Sequence, residues 1–396
     1  MDYSDLSISI TNDLDKLTKK SNGIFFTPPE TVNKTYKLLK PHMKHIKTIL
    51  EPSCGSCEYI TPLDKQYSIT GIEYNTTIFS SIKHLSGDNL TLVNTDYIKW
   101  NSPQKYDLII GNPPFYVMSK TDVDNEYYKY FSGRPNIFIL FVIKSLSLLN
   151  KNGILSFILP TSFLNSFYYE KTRNYIYENF KILHILEGSC DYLETSQNTV
   201  ILIVQNTKKN VKNDNFIIRI NGIIIFGTPK NIKNIRKLYK DSTTLKDLGF
   251  IVKVGNIVWN QKKSILTDDK TKTLLIYSSD IKNNKLNIQN YKNPCKKNYI
   301  NLPGENTPLL IVNRGYGNST YKFNYHLIKG GYNYCIENHL ICIRYTKEIE
   351  NDKLVELYEK IIKSFNDDKT TEFIKIFFGN NAMNTNELCN ILPIYI

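Results

Sequence analysis

Residues 106–115 read YDLIIGNPPF, a short apolar run that stops at Gly111 and turns through Asn112, Pro113, Pro114 and Phe115. An apolar run of this length, bounded by turn residues, fits a strand buried on both faces. Six further stretches share the pattern: KTILEP (47–52), YSITGIEY (67–74), LTLVNTD (90–96), GILSFILP (153–160), ILHILEG (182–188) and TVILIVQ (199–205). Helical patterns lie between several of them, clearest in IFILFVIKSLSLLNK (137–151), which ends before Asn152 and Gly153. Strands alternating with helices predict an α/β fold, a doubly wound and mostly parallel seven-stranded sheet covered on both faces. Ligands of such sheets bind at the carboxyl ends of the strands.

The rhythm changes after residue 205. FIIRINGIIIFG (216–227) predicts a hairpin turning at Asn221 and Gly222. A basic helix follows at NIKNIRKLYKD (231–241), then strand-like runs at LGFIVKVGNIVW (248–259), LLIYSSDI, PLLIVNRGYG and YCIENHLICIRY, and a helix at NDKLVELYEKIIKSF (351–365). The expected division is a catalytic domain over 1–240 and a mixed α+β domain over 241–396. Charge divides in the same sense. The first 207 residues hold 20 basic and 20 acidic side chains, whereas the remainder hold 30 and 17. A neutral first half joined to a basic second half suits a polyanionic partner met by the second. No apolar run approaches the roughly 18 residues of a membrane span, and MDYSDLSISITNDLDK lacks the pattern of an export signal, so a cytoplasmic location is expected. Seven scattered Cys make no disulfide framework, and the one CxxC pair, Cys54 and Cys57, has no second pair at zinc spacing, so no metal is expected.

The strand ends carry the chemistry. The run ending at Glu51 is followed by Ser53, Cys54 and Gly55, and a glycine-bearing loop admits a ligand close to the backbone. Glu73, ending the second strand, suits a ribose diol. Asp96 after the third can accept from an adenine amine while Tyr97 packs on the ring. Together they fit a cofactor containing a nucleoside. At the fourth, the two prolines stiffen the turn and aim the Asn112 side chain and a backbone carbonyl at one point. That arrangement suits an exocyclic aromatic amine. If Asn112 Oδ1 and the Pro113 carbonyl each accept one amine hydrogen, the lone pair is freed from the ring and can attack a sulfonium methyl in line. Phe115 would stack on the target ring.

At these residues the sequence resembles the gamma group of N6-adenine DNA methyltransferases of restriction-modification systems, collinearly over most of residues 21–206. GIFFTPPETV (23–32) resembles the family's cofactor segment before the first strand, with Thr27 as a contact. ILEPSCGSC resembles the cofactor loop, GIEYN the ribose-binding acid with Tyr74 beside it, NTDYIKW the adenine-binding Asp, and DLIIGNPPF the catalytic motif. NIFILFVIKSLSLLNKNGILSFILPTSFLNS (136–166) is similar to the family's next helix, strand and turn, which implies that Phe141 lines the cofactor pocket. The resemblance implies a Rossmann-like methyltransferase sheet and S-adenosylmethionine bound by Thr27, Glu51, Ser53, Cys54, Gly55, Glu73, Tyr74, Asp96, Tyr97, Asn112, Pro114 and Phe141. It implies catalysis at Asn112, Pro113, Pro114 and Phe115, with Phe115 and Tyr192 against a flipped adenine. It also implies double-stranded DNA as partner, read by the C-terminal domain of a monomer, and a cognate endonuclease encoded separately. Two positions depart from the family pattern: Cys57 stands where a second glycine is usual, and Phe115 where Tyr is commoner.

Three other readings share these residues. An RNA base methyltransferase uses the same stacking logic. A protein glutamine-N5 methyltransferase activates an amide at a similar Asn-Pro-Pro turn, with a helical domain before the first strand and no basic region after the sheet. A decayed, non-enzymatic DNA-binding module would not need Glu51, Glu73, Asp96 and Asn112 together.

Overall fold

A computed structural model describes residues 3–102, 104–188, 191–194, 197–207, 215–314, 323–377 and 383–396. The chain divides into two compact units, Met1–Ile232 and Lys233–Ile396. In the first, helices α1 (Asp5–Asp13), α2 (Lys16–Asn22) and α3 (Pro29–Leu39) precede strand β1 (Thr48–Glu51). There follow β2 (Ser68–Glu73), α4 (Thr76–Ile82), β3 (Leu90–Asn94), β4 (Tyr106–Gly111), α5 (Ile137–Ser147), β5 (Leu149–Pro160), α6 (Glu170–Asn179), β6 (Lys181–Glu187) and β7 (Thr199–Gln205). All seven strand runs anticipated from the sequence join one sheet, in the order β3-β2-β1-β4-β5-β7-β6. The pairs from β3 through β5 are parallel, and β7 runs antiparallel to both β5 and β6. The chain steps outward from β1 to β3, then returns to lay β4 on the other side of β1. That reversal opens a crevice beyond the carboxyl ends of β1 and β4, where doubly wound sheets hold their ligands.

Burial explains why the strands were legible. In β4 every residue but Asp107 is buried, and in β7 every one but Gln205. Nine of the eleven residues of α5 are buried, among them Phe138, Leu140 and Phe141, each worth roughly 1.5–3 kcal/mol of burial. Helix α5 ends at Ser147, short of the expected Lys151, because Leu149 already pairs with Tyr106 and β5 begins there. Helices α1 and α2 were not anticipated. Ser4 caps α1 by accepting from Ser7 N, and Asp15 caps α2 by accepting from Leu17 N and Thr18 N. Helices therefore do precede β1, and they pack into the same core through Ile10 and Leu14 and form no separate domain.

Strands β8 (Ile217–Ile220) and β9 (Ile223–Phe226) form the anticipated hairpin, with Asn221 at φ 48° and Gly222 at φ 84° in its turn. Arg173 of α6 is wholly buried and fastens this hairpin to the turn after β5. Its Nε donates to Ile224 O at 2.8 Å, and Nη1 donates to Phe163 O at 2.9 Å and Ser166 O at 2.7 Å. Arg173→Met strips at least these three carbonyls of a buried donor and is expected to cost roughly 3 kcal/mol or more. Chemical denaturation showing no loss would remove Arg173 from the stabilising set.

Helix α7 (Pro229–Leu238) spans the junction of the units. In the second unit lie β10 (Phe250–Val254), β11 (Leu266–Thr267), β12 (Thr273–Ile276), β13 (Ile281–Lys282), β14 (Lys285–Leu286), β15 (Tyr299–Ile300), β16 (Leu309–Asn313), β17 (Tyr325–Ile328), β18 (Tyr334–Ile336) and β19 (Leu340–Tyr345), then α8 (Asn351–Phe365), α9 (Asp368–Phe377) and α10 (Thr385–Asn390). Two four-stranded sheets, β10-β19-β16-β17 and β11-β15-β12-β18, give it a mixed α+β architecture. Helix α8 has the bounds its sequence pattern predicts. The run at 248–259 yields only β10, and that at 334–345 breaks into β18 and β19. Among the described residues no helix is long and apolar enough to cross a membrane.

Candidate active site

The carboxyl ends of β1, β2 and β4 and the loop after β3 surround a cleft of about 310 Å3. All twelve residues anticipated around a cofactor line it: Thr27, Glu51, Ser53, Cys54, Gly55, Glu73, Tyr74, Asp96, Tyr97, Asn112, Pro114 and Phe141. Its volume falls within the range of small-molecule sites.

Glu73 is buried and held by backbone donors. Gly55 N donates to one carboxylate oxygen at 2.9 Å and Asn75 N to the other at 2.7 Å. Asn75 then caps α4, and Asn94 Nδ2 donates to Glu73 O at 2.8 Å, so three consecutive strand ends are tied together. Burial pushes the Glu73 carboxyl up to about 7 against the pull of those hydrogen bonds. Glu51 lies deeper. Burial, with Cys57 and Glu73 nearby, holds its carboxyl well above the usual carboxylate range, and its Oε2 has no hydrogen-bond partner. Asp96 accepts from Ile98 N at 2.9 Å. Tyr97 is fixed by a 2.8 Å hydrogen bond with Ser145 and by Phe141, whose ring centroid lies 4.9 Å away.

Cys57 adopts φ 64° and is fully buried, while Gly55 adopts φ 50°. A left-handed residue at position 57 is a place where glycine is the unstrained choice, and a side chain is strained in that conformation. The loop nevertheless closes, with Cys57 N donating to Cys54 O at 2.6 Å and Cys54 N to Ile72 O at 2.8 Å. Among the described residues no group of three or more His, Cys, Asp or Glu could hold a metal ion.

Asn112 is the best defined side chain of the Asn-Pro-Pro-Phe turn. Its Nδ2 donates to Phe25 O at 3.2 Å, which fixes the amide orientation, and its Oδ1 is buried with no hydrogen-bond partner. Ser53 Oγ donates to Asn112 O at 3.2 Å and braces the backbone of the turn. The segment supplying Phe25 O leaves α2 through Gly23, at φ 62°, with Ile24 N donating to Lys19 O at 2.9 Å. A Cβ on Gly23 would lie 2.8 Å from Phe115 N. Residues 22–26 therefore lie directly against the Asn-Pro-Pro-Phe turn.

Other anticipated residues sit elsewhere. Pro113 is buried and Phe115 half-buried, and neither is among the residues lining the cleft. Phe115 packs edge-on against Phe138, centroids 5.9 Å apart. Tyr192 is buried, forms a 3.3 Å hydrogen bond with Thr199, and lines a second, much smaller cavity with Lys19, Phe25 and Glu194. Lys19, itself buried, bridges that cavity by donating to Thr11 O at 2.7 Å and Glu194 Oε1 at 2.8 Å. The structure thus does not bring Tyr192 to the main cleft, because its hydroxyl is turned into the core beside β7. Lining residues not anticipated from sequence include Phe25, Phe26, Glu58, Tyr116, Met118 and Asp122. The Gly-Ile-Phe-Phe segment signals itself only through Gly23 and the proline pair that opens α3.

The sheet order, with a cleft at its reversal point lined by acids and by the Asn112 turn, is that of the Rossmann-like methyltransferase fold. A family model described as Eco57I restriction-modification methylase matches residues 58–191. The chain is 27% identical over 415 residues to the modification methylase CviBIII of Paramecium bursaria Chlorella virus NC1A, with 99% of each chain covered. It is 26% identical to the type II methyltransferase M.CvrRI of Paramecium bursaria Chlorella virus XZ-6E, covering 94% of each. Among solved structures, that of DrdV in complex with DNA aligns with a TM-score of 0.51 over 95% of this chain and 57% of the other, at 10% identity, a likeness of fold. Along nearly its whole length the chain is therefore similar to restriction-modification methyltransferases.

Proposed function

We propose that the chain transfers a methyl group from S-adenosylmethionine to the N6 amine of adenine in duplex DNA at a fixed target sequence. The observation that carries this reading is Asn112 Oδ1, a buried acceptor with no partner in the wall of the cleft, its amide locked by Phe25 O. Leaving a buried polar atom unsatisfied costs about 1–3 kcal/mol, so the site favours a ligand that donates to it. A second such atom, Glu51 Oε2, faces the same need.

The residues present fit the cofactor. Glu73 would accept from the ribose hydroxyls, Asp96 from the adenine amine, and Tyr97 and Phe141 would enclose the ring, with Thr27, Ser53 and the Cys54–Gly55 backbone at the amino-acid end. Bound there, S-adenosylmethionine supplies a methyl on a positive sulfonium. Asn112 Oδ1 and the Pro113 carbonyl would each accept a hydrogen bond from N6, which would free the nitrogen lone pair to attack that methyl while the sulfur leaves with the electrons of the broken bond. The methylated nitrogen would then lose one proton to water. Phe115, T-shaped against Phe138, is the stacking partner for an adenine drawn out of the duplex. Residues 241–396 would read the target sequence, and a separately encoded endonuclease sharing that sequence would be the partner of a monomeric, cytoplasmic enzyme. Sequencing DNA from cells expressing the chain tests the reading. N6-methyladenine at one recurrent sequence is expected; methyl only on cytosine, RNA or protein would overturn it.

A pH dependence follows from Glu73. Its carboxyl is raised to about 7, and the charged form is the one that accepts two hydroxyl hydrogens. Cofactor affinity should fall as pH drops through 7, by about tenfold at pH 6 relative to pH 8. Stability of the free protein runs the other way. A raised acid binds its proton more tightly when folded, so this contribution is full below the ordinary value near 4.5 and fades as pH rises through 7. Titration calorimetry across pH 6–8 checks the affinity, and Glu73→Gln should flatten the profile. An unchanged slope in that variant would assign the proton to another group.

A further inference from the structure

Charge in the second unit is segregated along the chain. Residues 248–304 hold ten Lys and three Asp, while 305–396 hold ten basic and eleven acidic side chains. Of those three Asp, Asp280 is fully buried and accepts from Tyr277 N, Gln289 N and Tyr291 Oη, and Asp268 is paired with Lys297 at 2.5 Å. Two stretches, 248–267 and 281–304, contain no acid at all. The fold brings them together. Strands β11 and β15 pair Leu266 with Ile300 and Thr267 with Tyr299. Beyond that ladder, the Lys263 and Lys296 ammonium groups lie 5.8 and 5.7 Å from the Trp259 ring centroid, and Lys296 lies 3.8 Å from that of Tyr291. The loop between β10 and β11 is shaped by its own backbone, with Gln261 N donating to Val258 O, Lys262 N to Trp259 O and Ile265 N to Lys262 O, at 3.0–3.1 Å. Asn260, Gln261, Lys262, Lys263 and Ser264 are exposed on it.

We infer that this loop, backed by Lys296, is a surface on which the chain contacts duplex DNA, with Lys262 and Lys263 on phosphates and Asn260 and Gln261 reading base edges. The inference rests on the DNA reading above and deepens it. A loop whose own residues, 248–267, include no acid suits phosphates, and amides beside ammonium groups suit the groove, since Asn and Gln pair with adenine edges while Lys supplies charge. The short backbone turns order the loop that carries these side chains, and Trp259 lies under Lys263, so less backbone ordering is needed on binding.

The test uses the full chain and two duplexes, one carrying the methylated sequence found by sequencing and one scrambled. Lys262→Ala with Lys263→Ala should weaken binding to both duplexes and lower the slope of log affinity against log salt by about 2. Asn260→Ala with Gln261→Ala should keep the slope and lose about tenfold of the preference for the target. Lys360→Ala with Lys363→Ala, exposed on α8, makes the same change in net charge and should alter neither. A wild-type chain that methylates DNA while the loop variants behave like this control would overturn the surface and leave the activity standing. A wild-type chain that neither binds nor methylates DNA would overturn both.

Discussion

Asn112→Ala is expected to lower the rate of methyl transfer at least about 10²–10³-fold, while affinity for S-adenosylmethionine stays within a few-fold. The magnitude is that of removing one preorganised dipole from a reacting centre, about 2.7–4 kcal/mol. Alanine removes the only side-chain acceptor of the turn and leaves the Pro113 carbonyl to draw on one hydrogen alone, so the amine lone pair stays in the ring. Single-turnover rates with saturating DNA and cofactor measure this step directly. Asn112→Asp separates accepting from orienting. It keeps an acceptor but loses the Nδ2 donor that now meets Phe25 O at 3.2 Å, and two oxygens would face each other there. An intermediate rate is expected for it. Full activity in either variant, or a loss confined to cofactor binding, would contradict the role given to Asn112.

How much of this was readable in advance depends on whether a residue acts by side chain or by backbone. Strands β4 and β7 were legible because burial on both faces leaves a nearly unbroken apolar run, and the acids at strand ends stood out against those runs. Glu73 and Asp96 could be named because a side-chain carboxylate is visible in the sequence. Phe25 could not, since its contribution to the turn is a carbonyl oxygen that every residue possesses. Tyr192 is the converse case: an aromatic named from its spacing, which the fold places outside the main cleft with its hydroxyl toward Thr199. The early end of α5 follows from competition, since Leu149 gains a ladder position opposite Tyr106 that helical periodicity does not reveal. Helices α1 and α2 did carry signals, Ser4 and Asp15 as caps and Gly23 as terminator, yet their apolar positions are too few to give a clear stripe.

Gly23 supplies the second large effect. Gly23→Ala should cut the rate of methyl transfer at least about tenfold, because an added Cβ would lie 2.8 Å from Phe115 N, against backbone that cannot swing aside as a side chain would. Either the strut carrying Phe25 O retreats from Asn112, or the Asn-Pro-Pro-Phe turn itself moves. A displacement near 1 Å at a reacting centre costs on the order of 10²-fold. Alanine at φ 62° also destabilises the chain by roughly 1–2 kcal/mol, which by itself says nothing about catalysis. Gly222→Ala isolates that part. Gly222 sits at φ 84° in the hairpin turn with nothing within 4 Å of an added Cβ, so it bears similar backbone strain without a steric neighbour. The two variants should lose comparable stability by denaturation, and only Gly23→Ala should lose transfer rate at a temperature where both are folded. Equal rates would show that the segment before α3 leaves the Asn112 amide unguided, and that the Phe25 contact is incidental to the chemistry.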